Sequence, residues 1–298
     1  MTTLIERKSV WRTVFVAGNY SFLAFLAALC ILPVINVLAV SFSDAYYVGA
    51  GLVKLWPIGF TVKSYEYVAK TPAFLRSIGV SLERVALGTA LNMLLTTVVA
   101  YPLSKEAGKF RFRTLYVWLF VFTMLFSGGL VPTYIIIREL HLIDTIWSLV
   151  LPGAVPIFNV VLLLNFFRSL PRELTEAAYI DGASHWQTLW RVAVPLSMPA
   201  MATLTLFTVV AHWNEWFSGL IYMNVPDNYP LASYLQTVIV QKDVSLATDP
   251  VMLAKLSQLN NRSIKAAQIF LGALPIFLLY PFLQRYFMSG LVLGSVKE

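Results

Sequence analysis

Charged residues are scarce in this sequence. Of its 298 residues only 12% are Asp, Glu, Lys or Arg, about half the fraction of roughly 25% that is usual in a soluble domain. Hydrophobic residues make up 58%. A water-soluble fold of this size would lack the polar surface to cover its core. The composition therefore predicts an integral membrane protein.

Cysteine and histidine are also rare. The single cysteine, Cys30, lies within the first long apolar run, so it can form no intramolecular disulfide and has no second thiol for a metal site. The three histidines, His141, His185 and His212, are not spaced as a catalytic or metal-binding motif. The sequence contains no Gly-Lys-Ser or Gly-Lys-Thr, and hence no GxxxxGK[ST] phosphate loop. We therefore expect no catalytic residue, metal or cofactor on this chain, and a membrane-embedded enzyme is a weak alternative.

Long apolar runs are abundant instead. A membrane span needs about 20 apolar residues, because a helix rises 1.5 Å per residue and the hydrocarbon core is about 30 Å thick. Six runs reach this length: 14–42, 85–104, 114–137, 145–167, 196–222 and 266–287. Gly128, Gly129 and Pro132 predict a break in the third run. The predicted fold class is an all-α integral membrane protein, with six transmembrane helices in one domain over residues 1–298.

Basic residues predict the orientation of these spans. Four of them crowd residues 105–113, a short connection, and more precede the first span, so both segments are expected to be cytoplasmic. With six spans, both termini are then cytoplasmic, and the long connections 43–84 and 223–265 lie outside. Because the net charge of +7 is spread over these connections rather than along one face, no nucleic-acid binding is expected.

The fourth connection, residues 171–195, differs from the spans. It is polar at its start, and residues 173–179 have good helix propensity. Asp181 and Gly182 predict a turn, because glycine tolerates the left-handed geometry that ends a helix. Ser184 can then cap a second short helix. The pattern predicts two short helices on the cytoplasmic side.

Two interpretations fit such a pair of helices. They can form a rigid knob that transmits force to a soluble partner. They can also lie on the lipid surface, where Trp186 and Trp190 would anchor them. The residues by themselves leave both interpretations open.

The same segment resembles the EAA motif of binding-protein-dependent ABC importer permeases. That motif has Glu-Ala-Ala, three residues, Gly, nine residues and then Ile-x-Leu-Pro. This chain has Glu176, Ala177, Ala178, Gly182 and Pro195 at those positions. It departs from the pattern only in having valine at both aliphatic positions.

The resemblance extends over about the whole chain to the carbohydrate-uptake branch of these permeases. It includes the WNEWFSGLIY run of residues 213–222, the YPLASYL run of residues 229–235 and the GLVLGSVKE run from Gly290. These runs are similar to the second permease of the maltose importer. They also resemble permeases of importers for complex or uronic-acid oligosaccharides, including alginate.

This resemblance implies the type I importer permease fold in the bacterial inner membrane. It implies a heterodimer with a second permease subunit, and two ATPase subunits that hold ATP and Mg. It also implies a periplasmic or lipid-anchored solute-binding protein that delivers an oligosaccharide. The residues implied in ATPase coupling are Glu176, Ala177, Ala178, Asp181, Gly182 and Pro195.

Polar residues within spans are candidates for the substrate pathway, because polar groups are expensive in hydrocarbon. With tryptophans that could stack on sugar rings, the candidates are Asn159, Trp213, Asn214, Glu215 and Trp216; Asn92, Asn165 and His212 also qualify. Counting along the helices places Asn159 at or below the midplane, and Asn214 and Glu215 near the external end. Asn159 can equally bond a neighbouring helix, and the tryptophans can serve as interface anchors.

Charged residues outside the spans complete the sequence-based expectations. Glu83 and Arg84 adjoin the outer end of the second span, where a solvated pair is the default interpretation. In the maltose importer's corresponding subunit, a loop at the position of 223–265 reaches into the binding protein. The resemblance therefore makes Gln241, Lys242, Asp243 and Asp249 candidate contacts to such a protein.

A secondary transporter of a small polar solute is the main alternative. Such a protein would also have bent helices and polar groups at the midplane, but it would usually show an internal repeat of spans. No convincing repeat relates the first three runs to the last three.

Overall fold

The computed structural model of the protein describes residues 10–106, 108, 110–240 and 261–295. All regular elements in these ranges are helices, as the sequence predicts. Within the described ranges the helices belong to two compact units, one with residues 10–70 and 261–272, the other with 71–240 and 273–295.

The first unit begins with a long apolar helix. Its elements are α1 (Val10–Ser41), α2 (Ala45–Gly49) and α3 (Lys63–Ala69), with the start of the last helix. Nearly all of α1 is exposed, as expected for a span that faces lipid or a partner. Its last turn is held by a hydrogen bond of 2.7 Å between the hydroxyl groups of Ser41 and Tyr65.

The second unit contains the remaining helices. They are α4 (Pro72–Ser104), α5 (Arg113–Leu125), α6 (Leu130–Glu139), α7 (Ile146–Val150), α8 (Ile157–Ser169), α9 (Arg172–Ile180), α10 (His185–Thr188), α11 (Val194–Leu196), α12 (Met198–Asn214), α13 (Phe217–Tyr222) and α14 (Leu231–Val240). The last helix, α15 (Asn261–Ser295), starts in the first unit and continues into the second.

Three single helices and three bent pairs have the length and composition of membrane spans. The single helices are Val10–Ser41, Pro72–Ser104 and the Asn261–Pro281 part of α15. The bent pairs are α5 with α6 at 110°, Ile146–Gly153 with α8 at 48°, and His185–Leu196 with α12 at 82°. Counting each pair as one span gives up to six in the described part of the chain, and the predicted break near Gly128, Gly129 and Pro132 is confirmed between α5 and α6.

The predicted ends of several spans are wrong. The second span begins at Pro72 rather than at residue 85. The charges of Arg76, Glu83 and Arg84 lower the local hydropathy and so hide the first turns of α4. The predicted fifth span, 196–222, is two helices that meet at Glu215 and Trp216.

The connection predicted over 223–265 contains helices at both of its ends. It holds all of α14, and α15 begins five residues before the predicted start at 266. The chain after α13 turns back so that the start of α14 packs against α13. Gly219 on α13 lies against Pro230 and Ser233, where there is no room for a side chain. The first part of this connection is thus packed structure.

The connection between α6 and α7 is tied to the chain that follows α13. The Asp144 carboxylate accepts hydrogen bonds from the backbone N–H groups of Asn224 and Val225 and from the Asn224 amide. Desolvation raises the pKa of Asp144, but these three donors together outweigh it and hold the pKa below its ordinary value.

The central helix of the second unit is α4, which packs against α8 and α12. Its buried face carries small and polar residues, including Ser77, Ser81, Gly88, Thr96 and Ala100. Leucines at 82, 87 and 94 are exposed on its other side. In lipid no hydrophobic force brings helices together, so their association depends on close packing. Small residues permit that packing because they let the helix backbones approach closely. The distribution of residues around α4, with small and polar side chains buried and leucines exposed, is therefore that of a membrane helix rather than of a helix in a soluble protein.

Candidate functional site

The turn between α9 and α10 has the local structure that the sequence predicts. Gly182 has φ of 81°, in the left-handed region. The N–H of Ala183 bonds the carbonyl of Ala178 at 2.9 Å, and the N–H of Gly182 bonds that of Tyr179 at 3.0 Å. These two bonds form a Schellman motif. Ser184 then caps α10 in a reciprocal capping box with Gln187.

Helical structure continues beyond α10. A π-helical turn, Leu189–Ala193, joins α10 to α11, so that helical structure runs from His185 to Leu196. Pro195 lies in the last turn of this segment, and α12 begins at Met198 after an 82° bend. The predicted boundary between the connection 171–195 and the span 196–222 therefore falls inside a helix, because the π turn continues the helix through Pro195 to Leu196.

The outward side of this knob, α9 to α11, is exposed. Glu176, Ala177, Asp181 and Gly182 are exposed, and Ala178 is half-buried. Ile180 beside them is 86% exposed, although sequence reasoning did not single it out. The tip of the knob is therefore accessible to a soluble protein.

The inward side of the knob is fastened to α4. The hydroxyl of Tyr179 lies 3.2 Å from that of Tyr101 and 2.9 Å from Nδ1 of His185. The Lys105 ammonium lies 4.2 Å from the centroid of the Tyr101 ring. Beside them, Leu189 of the π turn packs in the core that α4, α8 and α12 share. The end of α4 and α9 are therefore in direct side-chain contact.

A cavity of about 620 Å³ lies within the second unit among α4, α7, α8, α12 and α13. Its lining includes Arg84, Asn92, Phe158, Asn159, Phe207, His212, Glu215 and Ser218. The exposed rings of Phe158 and Phe207 stand beside a cluster of polar groups. A lining of aromatic rings with a few polar groups is typical of sites that bind small molecules.

An ion pair crosses the wall of this cavity. Arg84 is 2% exposed, and its guanidinium pairs with the Glu215 carboxylate and donates to the Glu215 carbonyl at 2.9 Å. The carboxylate also accepts from the backbone N–H and hydroxyl of Ser218 at 2.8 and 2.6 Å. The expectation of a solvated Glu83–Arg84 pair is wrong: Glu83 is exposed, but Arg84 falls on the buried face of α4.

A second set of hydrogen bonds, about two turns further along α4 than Arg84, joins α4 to α12 and to the segment between α7 and α8. The Asn92 amide donates to the carbonyls of Gly153 and Ala154 at 2.7 and 3.1 Å, and its oxygen lies 2.6 Å from Nε2 of His212. Gly88 makes room for the ring, because a Cβ there would lie 2.5 Å from Nε2 of His212.

The sequence-predicted pathway residues separate into two groups. Asn159 and Glu215 line the cavity, and the Asn159 amide also donates to the Thr208 hydroxyl at 3.2 Å, which is the bond to a neighbouring helix that the sequence left open. Trp213 is buried, whereas Asn214 and Trp216 are exposed; none of the three is among the lining residues. Asn92 and His212 also line the cavity.

The predicted binding-protein contacts are Gln241, Lys242, Asp243 and Asp249. All four lie outside the described residues.

Comparisons with known proteins agree on one family. Residues 100–292 match the model of the family described as binding-protein-dependent transport system inner membrane component. Protein LplC of Bacillus subtilis (strain 168) is 41% identical over 95% of this chain and 95% of its own length. The polygalacturonan/rhamnogalacturonan transport system permease protein YtcP of the same organism is 36% identical over 93% of this chain and 96% of its own length.

A solved structure shares the fold over nearly the whole chain. It is the crystal structure of a bacterial ABC transporter involved in the import of the acidic polysaccharide alginate. One of its chains superposes with a TM-score of 0.87 at 28% identity, covering 94% of this chain and 99% of that one.

Proposed function

The chain belongs to the family of binding-protein-dependent transport system inner membrane components, and from this premise we propose that it carries an oligosaccharide into a bacterial cell. It would do so as one permease subunit of an ABC importer. The observation that carries the proposal is the knob of α9 to α11, which has the spacing of the EAA motif, projects Ile180 outward and is fastened inward to α4.

The substrate class rests on the relatives and on the cavity. YtcP is named for polygalacturonan and rhamnogalacturonan, and the structural relative for alginate. The cavity offers Phe158 and Phe207 as apolar surfaces beside Asn159, His212 and Glu215. A sugar has an apolar ring face and many hydroxyl groups, so such a lining suits it.

The partners follow from the mechanism. A second permease subunit would complete the pathway, and two ATPase subunits would hold ATP and Mg. The ATPase would press on the exposed end of α9, at Glu176, Ala177, Ala178 and Asp181. The contact of Tyr179 with Tyr101 would then pass the movement to α4. A periplasmic or lipid-anchored binding protein would deliver the sugar on the opposite side, and the termini would be cytoplasmic.

Reconstitution tests this function directly. The chain is co-purified with its partner subunits, placed in proteoliposomes, and assayed for uptake of labelled polygalacturonan or alginate oligosaccharides with binding protein and ATP. We expect uptake only when the ATPase subunits, ATP and binding protein are all present. Uptake by the chain alone, driven by an ion gradient, would instead establish a secondary transporter.

A further inference from the structure

A second cavity, of about 690 Å³, lies where α4 ends, α5 begins and α8 leads into α9. Its lining contains four basic residues, Lys105, Arg113, Arg168 and Arg172, but two acidic ones, Glu106 and Glu176. The cavity is separate from the one that contains the Arg84–Glu215 pair. The coupling residues Glu176 and Tyr179 line one side of it, but the proposed transport mechanism gives no task to its basic residues.

Two arginines in this cavity converge on one oxygen atom. Arg113 donates from Nε to the Leu103 carbonyl at 2.9 Å, and Arg168 donates from Nη2 to the same carbonyl at 3.4 Å. That carbonyl belongs to the last turn of α4, where carbonyls have no partner further along the helix. One acceptor therefore holds two positive charges close together, and each guanidinium has further N–H donors to offer.

Nearby carboxylates do not neutralise this pair. Glu106 is engaged by Arg172 at 2.7 Å, and among the described residues neither Arg113 nor Arg168 has a carboxylate within 4.0 Å. The ammonium of Lys105 adds a third cation on the same wall. Arg168 is exposed and Arg113 and Lys105 are half-buried, so solvent screens much of their mutual repulsion. An anion placed between these groups would still be attracted by all three.

We propose that Lys105, Arg113 and Arg168 form a binding site for a phosphate group, supplied by an anionic phospholipid headgroup or by free phosphate. Guanidinium groups match the geometry of phosphate oxygens. Basic pockets between the ends of spans are a recognised mode of headgroup binding. Phe167 and Leu170 give the cavity an apolar wall against which a lipid can lie.

An occupant of this site would also affect the knob. Thr175, Glu176 and Tyr179 of α9 line the same cavity. A bound phosphate would therefore tie the ends of α4, α5 and α8 to the helix that meets the ATPase. Its loss should weaken the coupling of ATP hydrolysis to transport while the membrane domain stays folded.

The test uses the assembled importer in nanodiscs of phosphatidylcholine with or without phosphatidylglycerol. Native mass spectrometry measures retained phosphatidylglycerol, and ATPase assays measure stimulation by the loaded binding protein. We expect R113Q/R168Q to reduce retention about tenfold, which corresponds to about 1.4 kcal/mol of binding free energy, because charge-assisted hydrogen bonds to the phosphate are lost. R138Q is the matched control, because Arg138 is 60% exposed and pairs only locally with Glu139.

The single variant R168Q guards against misfolding, because Arg168 is exposed and the Arg113–Leu103 bond remains. If inorganic phosphate, rather than phosphatidylglycerol, stabilises the wild type but not R168Q, the site is supported with free phosphate as its ligand. Equal lipid retention and equal phosphate response in wild type and both variants would overturn the proposal. So would loss of the ATPase subunit from R168Q with unchanged lipid retention, which would make the cavity a protein-docking surface.

Discussion

Gly88 sits at the closest approach of α4 to the His212 side chain. We expect Gly88→Ala to lower thermal stability in detergent, because the added Cβ would lie 2.5 Å from Nε2 of His212 and disturb its bond to Asn92. Overpacking of this kind costs about 1–3 kcal/mol. Gly79→Ala is the control on the same helix, since a Cβ there meets nothing within 4 Å. Equal melting temperatures for the two variants would contradict the packing described here.

The Arg84–Glu215 pair should behave as a buried one. We expect Glu215→Gln to be strongly destabilising, because it leaves Arg84, with a side chain 3% exposed, without its charge partner. Breaking a buried pair costs about 3–5 kcal/mol, and somewhat less here because the Glu215 side chain is 34% exposed. The double variant R84Q/E215Q should recover part of the loss in a double-mutant cycle.

The matched control for this cycle is Arg76→Gln. Arg76 lies on α4, as Arg84 does, and pairs with Asp227 in the connection after α13, but both side chains are 57% exposed. A change of about 0–1 kcal/mol is expected there. If Arg76→Gln and Glu215→Gln had similar effects, the burial of the Arg84 pair would have no energetic consequence.

At the scale of elements, the turn between α9 and α10 depends on Gly182. A Cβ at this position would meet no atom within 4 Å, so crowding is not the obstacle; the positive φ is. We expect Gly182→Val to strain the turn by about 1–2 kcal/mol or more and to reduce sugar uptake per ATP hydrolysed. Gly182→Asn should retain most activity, because asparagine tolerates this conformation. Equal uptake by the valine and asparagine variants would show that the geometry of the turn is unimportant.

The link between α9 and α4 depends on the Tyr179 hydroxyl. We expect Tyr179→Phe to leave assembly and basal ATPase activity unchanged but to lower uptake, because the contacts to Tyr101 and His185 are lost while the ring still packs. The ratio of uptake to ATP hydrolysis measures this effect. Tyr116→Phe on α5 is a suitable control, as its ring stacks on Phe110. Unchanged coupling in Tyr179→Phe would mean that the movement travels by another route.

The central helix shows why elements are harder to delimit than to detect. Periodicity in a soluble helix marks the buried face by its leucines, but in α4 the leucines at 82, 87 and 94 face outward while Ser77, Ser81 and Asn92 face inward. The turns that carry Arg84 therefore look like a connection in a hydropathy profile. Only the position of α12 and α13 shows them to be part of the span.

At the scale of the whole molecule, orientation in the membrane is the main property still to be measured. We expect Ile180→Cys, in a Cys30→Ser background, to react with a membrane-impermeant thiol reagent only from the cytoplasmic side. The assay uses the chain without its ATPase subunits, in which Ile180 is 86% exposed, so a lack of reaction reports sidedness rather than burial. Asn224→Cys provides the external control, because it lies in the exposed connection after α13. Labelling of Ile180→Cys in intact cells would reverse the proposed topology.

The candidate site was only partly accessible from sequence. Asn159 and Glu215 were found because a polar residue within an apolar run is conspicuous by itself. Arg84 was assigned to solvent because its partner is 131 positions away, and no local pattern joins the two. Tyr101 and Ile180 gave no signal, since one is an ordinary aromatic residue near a span end and the other an ordinary aliphatic residue in a helix.

The sequence by itself determined the membrane character, the presence of up to six candidate spans and the two-helix knob, because these depend on run length, on hydropathy and on spacing within a few turns. The tertiary structure decided where α4 begins, that α12 and α13 are separate helices, and which polar groups share a cavity. A buried charge is stable only beside its counter-charge. The partner of Arg84 is brought to it by the packing of α12 and α13 against α4, which no local stretch of sequence specifies.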